Sequence, residues 1–321
     1  MAKRKAKKGI GPLLILLIII LLGIFLFSGY KLASTMMEYR KSEAEYDDLR
    51  NLTEEGEKGD ILTAEAIAAG KFACPISVDF DALKEINDEV IGWIYIKDVD
   101  ISYPIVKGAD NDYYLHRTFR KTYNFAGSIF ADYENASDFS DPNTILYGHN
   151  MKNDSMFGRL DELVEKEQDV EEPYFWILVP GADYCYEMFD MQRVDPFDEI
   201  YTLFHGTDET FVQYAEKCAA ESSVELPVPQ FSTDSRIITL STCTNDSKAR
   251  FVVQGVLAGV VRHSGNGTQS VSGGQDTSGG QDTLDGQDTL DGQNAAGQTE
   301  DSSAESDSSA DEYSEFVTKN E

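Results

Sequence analysis

The sequence predicts a mainly β protein, a mostly antiparallel barrel or sandwich with helical insertions. Three observations point there. Short runs rich in Ile, Val, Tyr and Phe recur between residues 79 and 261, bounded by Gly, Pro, Asp and Asn. Only two helical patterns interrupt them, at residues 155–167 and 207–220, whereas a doubly wound fold needs a helix between nearly every pair of strands. The apolar content, 41% of 321 residues, is concentrated in this stretch, which is long enough for a sizeable core.

The elements follow in order. A basic cluster, Lys3-Arg4-Lys5-Ala6-Lys7-Lys8, precedes an apolar run over residues 10–30. About 20 apolar residues suffice to cross a hydrocarbon core as a helix. The exit, Phe27-Ser28-Gly29-Tyr30-Lys31, is a poor cleavage site, so an uncleaved signal anchor is expected. The basic cluster keeps residues 1–9 cytoplasmic and places everything after the anchor outside the cell. Residues 33–52 lack Pro and Gly and read as an exposed helix carrying the rest away from the membrane. Residues 56–60 break it, and a short Ala-rich helix at 64–69 ends at Gly70. Residues 31–77 form this stalk and linker.

The globular domain spans residues 78–263. It opens on a short helix at 81–88, with Asp81 as its cap or within its first turn. Strands are expected at 92–96, 101–106, 127–132, 144–148, 174–179, 184–193, 236–242 and 251–261. After His263 the composition changes. Gly274, Gly280 and Gly286 each begin a Gly-Gln-Asp-Thr repeat, and the rest of 264–321 is Ser, Asp, Glu, Gly and Gln. That tail has too little apolar surface to offset chain entropy and is expected to be disordered.

Net charge and cysteine spacing exclude some functions. The net charge is −30, from 57 acidic and 27 basic residues, which argues against nucleic acid as a partner. The four cysteines, Cys74, Cys185, Cys218 and Cys243, show no C-x-x-C spacing, so no metal site is expected. Sequence does not pair them into disulfides. Cys185 within a strand and Cys218 within a helix read as buried, inert thiols, and Cys74 before Pro75 as a linker residue.

Cys243 is different. It follows Ile237-Ile238-Thr239-Leu240 where a strand leaves the core, among Ser241, Thr242, Thr244 and Asn245. A thiol needs a partner that favours its ionisation or takes its proton, and a histidine does either near neutral pH. Of the four histidines, His149 is best placed, closing the strand Leu146-Tyr147-Gly148-His149-Asn150. His116 lies in a short helix as a surface or half-buried residue, His205 beside a Gly turn, and His263 at the edge of the tail. Arg250 opens the last strand and offers a fixed fork of donors for a developing oxyanion. Arg236 and Arg262 sit at the opposite ends of their strands.

Thr239-Leu240-Ser241-Thr242-Cys243 with Arg250-Phe251-Val252-Val253, and Leu146-Tyr147-Gly148-His149-Asn150-Met151 leading into Ser155-Met156-Phe157, resemble the class B sortases. Gly92-Trp93-Ile94 and Gly127-Ser128-Ile129-Phe130 extend the likeness over residues 82–261. The resemblance implies a closed mixed/antiparallel β-barrel and a cysteine transpeptidase on the outer face of a Gram-positive membrane, with no cofactor. It implies that Cys243 attacks the Thr carbonyl of a C-terminal sorting signal on a surface protein. His149 then serves the leaving and incoming amines, and Arg250 steadies the oxyanion, with the Thr244 N–H as a possible second donor. The acceptor is an amine of a cell-wall peptide or of its lipid-linked precursor. Residues 198–229 are expected to line the peptide pocket. Pilin polymerisation, slow hydrolysis, and a non-catalytic β-domain binding wall or partner proteins remain as alternatives.

Overall fold

The computed structural model describes residues 11–56, 62–165, 173–243, 248–264 and 267–272. The basic cluster, residues 57–60 of the expected break, the end of the helical pattern at 166–167, Thr244, and the repeat tail from 273 onward lie outside the described residues.

The chain opens with one continuous helix, α1 (Pro12–Arg50), with Pro12 in its first turn, where the missing N–H costs no hydrogen bond. Its first half is long and apolar enough to cross a membrane. The second half is not the exposed stalk expected from composition. Ser42, Tyr46 and Leu49 are buried, at the i, i+4, i+7 spacing of a single helix face. Tyr46 Oη donates to the Gly127 carbonyl at 2.6 Å, and its ring meets Tyr103 edge-on. Strands β1 (Thr53–Glu55) and β2 (Ile76–Val78) form a small antiparallel ribbon. Between them α2 (Ala64–Ala68) is capped by Thr63, and Gly70, at φ 65°, follows it in the left-handed conformation. Cys74 is buried in the core here, not placed in an open linker. Helix α3 (Phe80–Ile86) takes Asp79 as its N-cap, accepting from the Ala82 N–H at 3.0 Å, and Asp81 falls in the first turn.

The barrel strands are β3 (Val90–Ile96), β4 (Ile101–Val106), β5 (Ile129–Ala131), β6 (Asn143–Gly148), β7 (Tyr174–Val179), β8 (Ala182–Val194), β9 (Ile237–Cys243) and β10 (Arg250–Ser264). Hydrogen bonding runs β10-β8-β7-β3-β4-β5-β6-β9 and returns to β10, closing the sheet. Closure leaves no barrel strand with an open edge along that seam. Two pairs are parallel, β4 with β5 and β6 with β9; the rest are antiparallel. The fold is therefore the closed mixed barrel expected.

The helical insertions are α4 (Glu162–Glu165) and α5 (Glu209–Glu221). Helix α5 covers one side of the barrel through Phe211, Tyr214, Ala215 and Cys218. Their i, i+3, i+4, i+7 spacing makes one apolar stripe, and each fully buried large side chain contributes roughly 2 kcal/mol. Beneath α5 the strands have two buried faces. Ile237, Val252 and Val256 pack toward the helix, while Ile238, Leu240 and Val253 pack in the main core with Trp93, Phe175 and Met188. That explains why β9 and β10 read as apolar runs without alternation.

Two expectations change. The pattern at 155–167 gives a helix only over Glu162–Glu165 among the described residues. Upstream, Asp154 and Met156 take φ of 62° and 57°, and an Asn150–Met156 bridge folds a tight loop. The Tyr103 hydroxyl sits 3.0 Å from the Met156 N–H and accepts its bond. The tail also orders further than composition suggested: β11 (Gly267–Ser272) pairs antiparallel with β10, Ser264 opposite Gly267.

Candidate active site

Strand register brings the three sequence candidates to one end of the barrel. Cys243 is the direct partner of Arg250 across the antiparallel β9–β10 pair. Opposite Cα atoms in such a pair lie about 4.5–5.5 Å apart. On the other side, β9 runs parallel to β6 with Thr242 opposite Gly148. Cys243 and His149 each come one residue later, on neighbouring strands about 4.8 Å apart. A residue from β9 is thus flanked by the ends of β6 and β10.

The local sequence explains why β6 stops there. A Cβ on Gly148 would meet Ile129 Cδ1 at 2.5 Å and Phe157 Cδ2 at 2.6 Å. Glycine lets the backbone pass under these apolar groups, and His149 follows at once. The Phe157 N–H donates back to the His149 carbonyl at 3.0 Å, so the loop after β6 closes on the histidine itself.

His149 is half-buried. Its Nε2 lies 2.7 Å from the Leu115 carbonyl oxygen. A carbonyl only accepts, so Nε2 carries the proton and Nδ1 is the basic atom of the neutral ring. Burial lowers the His149 pKa from its ordinary value, neighbouring His116 pushes the same way, and the Leu115 carbonyl partly opposes them. The ring is therefore neutral at pH 7. The Arg250 guanidinium is half-buried and donates through Nη1 to the Ala249 carbonyl at 3.2 Å.

The segment carrying Leu115 is clamped on several sides. Tyr114–His116 form a 3-10 turn. Ser128 N–H donates to the Tyr114 carbonyl at 3.0 Å, Asn124 N–H to the His116 carbonyl at 3.0 Å, and Ser128 Oγ to the Arg117 carbonyl at 2.8 Å. Helix α1 adds to the clamp through Tyr46 on Gly127 and Asn124 Nδ2 on the Glu38 carbonyl at 3.1 Å. Sequence reasoning missed this support, because its acceptors are backbone carbonyls that no side-chain motif reports.

The other candidates lie elsewhere. Cys74, Cys185 and Cys218 are buried free thiols. Burial pushes the Cys218 pKa up to about 12 and raises that of Cys74, so both stay protonated. His263 pairs with Asp183 at 2.9 Å. A cavity of about 1060 Å³ is lined by residues that include His205, Arg236 and Arg262 and lies toward the opposite end of β9 from Cys243. The segment 198–229 spans both ends. Tyr201 Oη is 2.8 Å from Ser241 Oγ, two residues before Cys243, while Pro229 lines the far cavity.

The sequence pattern of the sortase domain matches residues 94–258. A sortase B of Listeria monocytogenes is 36% identical over 245 residues, 75% of this chain and 95% of the relative. The chain belongs to the class B sortases. A second sortase B, from Staphylococcus aureus, is 26% identical over 225 residues, 70% of this chain and 87% of the relative. Among solved structures, Bacillus anthracis sortase B in complex with AAEK1 superposes with a TM-score of 0.56 at 30% identity, covering 69% of this sortase and 98% of that chain. Membership places this sortase in a family of transpeptidases, and the matched region contains β9, the start of β10 and the β6 terminus that bracket the candidate site.

Proposed function

We propose that this sortase cleaves a C-terminal sorting signal through a thioacyl-enzyme and transfers the surface protein to a cell-wall amine. The observation carrying this reading is the register that sets Cys243 opposite Arg250 and alongside the His149 position. In the first step Nδ1 of the neutral His149 takes the Cys243 thiol proton as the sulfur attacks the carbonyl carbon of the signal's Thr. A C–S bond forms, the C–N bond breaks, and the His149 imidazolium gives its Nδ1 proton to the departing amine. In the second step an amine attacks the thioester, its proton passes to His149, the C–S bond breaks, and the departing sulfur takes that proton back, restoring the neutral pair. Arg250 holds the oxyanion of both tetrahedral intermediates.

His149 is suited to this cycle because Nε2–H stays on the Leu115 carbonyl in either protonation state, so only Nδ1 changes. We read the apolar half of α1 as a signal anchor that leaves residues 1–9 cytoplasmic and the barrel outside, where sorting signals and wall amines meet. The test is Cys243→Ala. With a sorting-signal peptide and mass spectrometry, the native chain gives a thioacyl adduct and the variant gives none. Turnover retained by the variant overturns the reading.

A further inference from the structure

The ring of His116 lies beside His149, centroids 5.8 Å apart and planes 15° from parallel. It is held from several directions. Tyr123 packs on it at 6.2 Å, and its carbonyl is bonded by the Asn124 N–H. Its Nδ1 is fully buried and has no hydrogen-bond partner among the described residues. A buried imidazole nitrogen without a partner is costly if the ring serves only packing, where a phenyl group would do as well. The neighbouring residue, Leu115, supplies the carbonyl that receives His149 Nε2. One 3-10 turn therefore presents both a bond and a stacking face to the same imidazole.

We propose that His116 is a positioning residue for His149: its ring keeps the imidazole against the Leu115 carbonyl with Nδ1 free. This rests on His149 being the acid and base of the proposed reaction. A positive charge on the neighbouring ring would stand face to face with a proton on His149 in a half-buried site and so disfavours it. The unprotonated form of His149 is thereby favoured in the resting state, in the same direction as its burial. Among the described residues His116 is the titratable group that acts on His149 electrostatically. The flanking Tyr123 faces His116, while Cys243 and Arg250 approach on β9 and β10.

The experiment uses the full chain in detergent micelles with ring-labelled histidine, because only four histidines are present and each gives its own signal. Titrated by NMR, the His149 midpoint reads the influence of the neighbouring ring. His116→Phe keeps the stacking face and removes the charge. It should move the His149 midpoint, and the acid limb of kcat/KM, to higher pH while leaving kcat within a few-fold. His116→Ala removes both and should lower kcat roughly tenfold, with the phenyl variant rescuing it. An unmoved His149 midpoint in His116→Phe overturns the proposal, as does native kcat in His116→Ala. Full turnover by His149→Ala would instead sink the acid–base reading while leaving the shifted His149 midpoint in place.

Discussion

The Thr239 hydroxyl on β9 donates to the Asn143 side-chain oxygen on β6 at 2.7 Å, joining two strands whose residues are 96 positions apart. Asn143 is fully buried, and its Nδ2 reaches the Thr202 carbonyl at 3.1 Å and Tyr214 Oη at 3.2 Å. The bond spans the parallel pair that carries the His149 and Cys243 ends. Asn143→Ala leaves several buried partners unsatisfied and should cost about 3 kcal/mol. Urea denaturation of native and variant chains measures it. A loss under about 1 kcal/mol would mean that the network does not hold the seam.

Gly127 should tolerate no side chain. Its φ is 60°, and a Cβ there would sit 2.5 Å from the Leu115 carbonyl oxygen, the atom that receives His149 Nε2. Gly127→Ala therefore pushes on the histidine's own acceptor. We expect a stability loss of about 1–3 kcal/mol and a larger proportional loss of kcat than of substrate affinity. Steady-state kinetics below the unfolding transition separate the two, and a change confined to KM would contradict the geometry.

Arg250 should not be replaceable by lysine. A guanidinium can donate to Ala249 and still present further donors, whereas an ammonium is a single point charge on a flexible stem. Both Arg250→Lys and Arg250→Ala should lower kcat by about 10²–10³. Near-native rates for Arg250→Lys would reduce its role to simple charge.

Asp190 gives the fold a pH dependence remote from the site. Burial, chiefly, raises its carboxyl from 3.8 to about 7, and its Oδ1 has no hydrogen-bond partner among the described residues. Between those values the folded chain keeps a proton that the unfolded chain has lost. The stability associated with that proton is complete below about pH 4 and is lost as pH rises toward 7, on the order of 4 kcal/mol. Asp190→Asn removes the titration. Denaturation midpoints at pH 5 and pH 8 should converge in the variant and differ in the native chain through this group; an unchanged difference would refute it.

Much of the barrel was legible because its strands are β-branched and aromatic runs with Gly, Pro, Asp and Asn at their ends. All eight expected strands occur in the sheet, β4 and β7 with the expected bounds. The parallel pairings were hidden, since strand direction within a sheet leaves no mark on local periodicity. The ends of β6, β9 and β10 could be picked out because Cys243, His149 and Arg250 are chemically unusual where apolar runs stop. Leu115 could not, because it acts through its carbonyl. His116 was visible as a histidine in a short helix, but its stack on His149 depends on a contact 33 positions along the chain. The docked half of α1 was read as exposed, because Ser42, Tyr46 and Leu49 are sparse among Glu, Lys and Arg.

The closing seam also has a kinetic meaning. β9 meets β6 only after nearly a hundred intervening residues have been placed, and parallel non-local pairings are slow to form. Before that seam zips, the β9–β10 pair can already set Arg250 opposite Cys243, but the His149 end is not alongside. Until then the partly folded chain carries Cys243 without the histidine end beside it. The juxtaposition of thiol and imidazole is thus a late product of folding, set by a non-local pairing rather than by either strand alone.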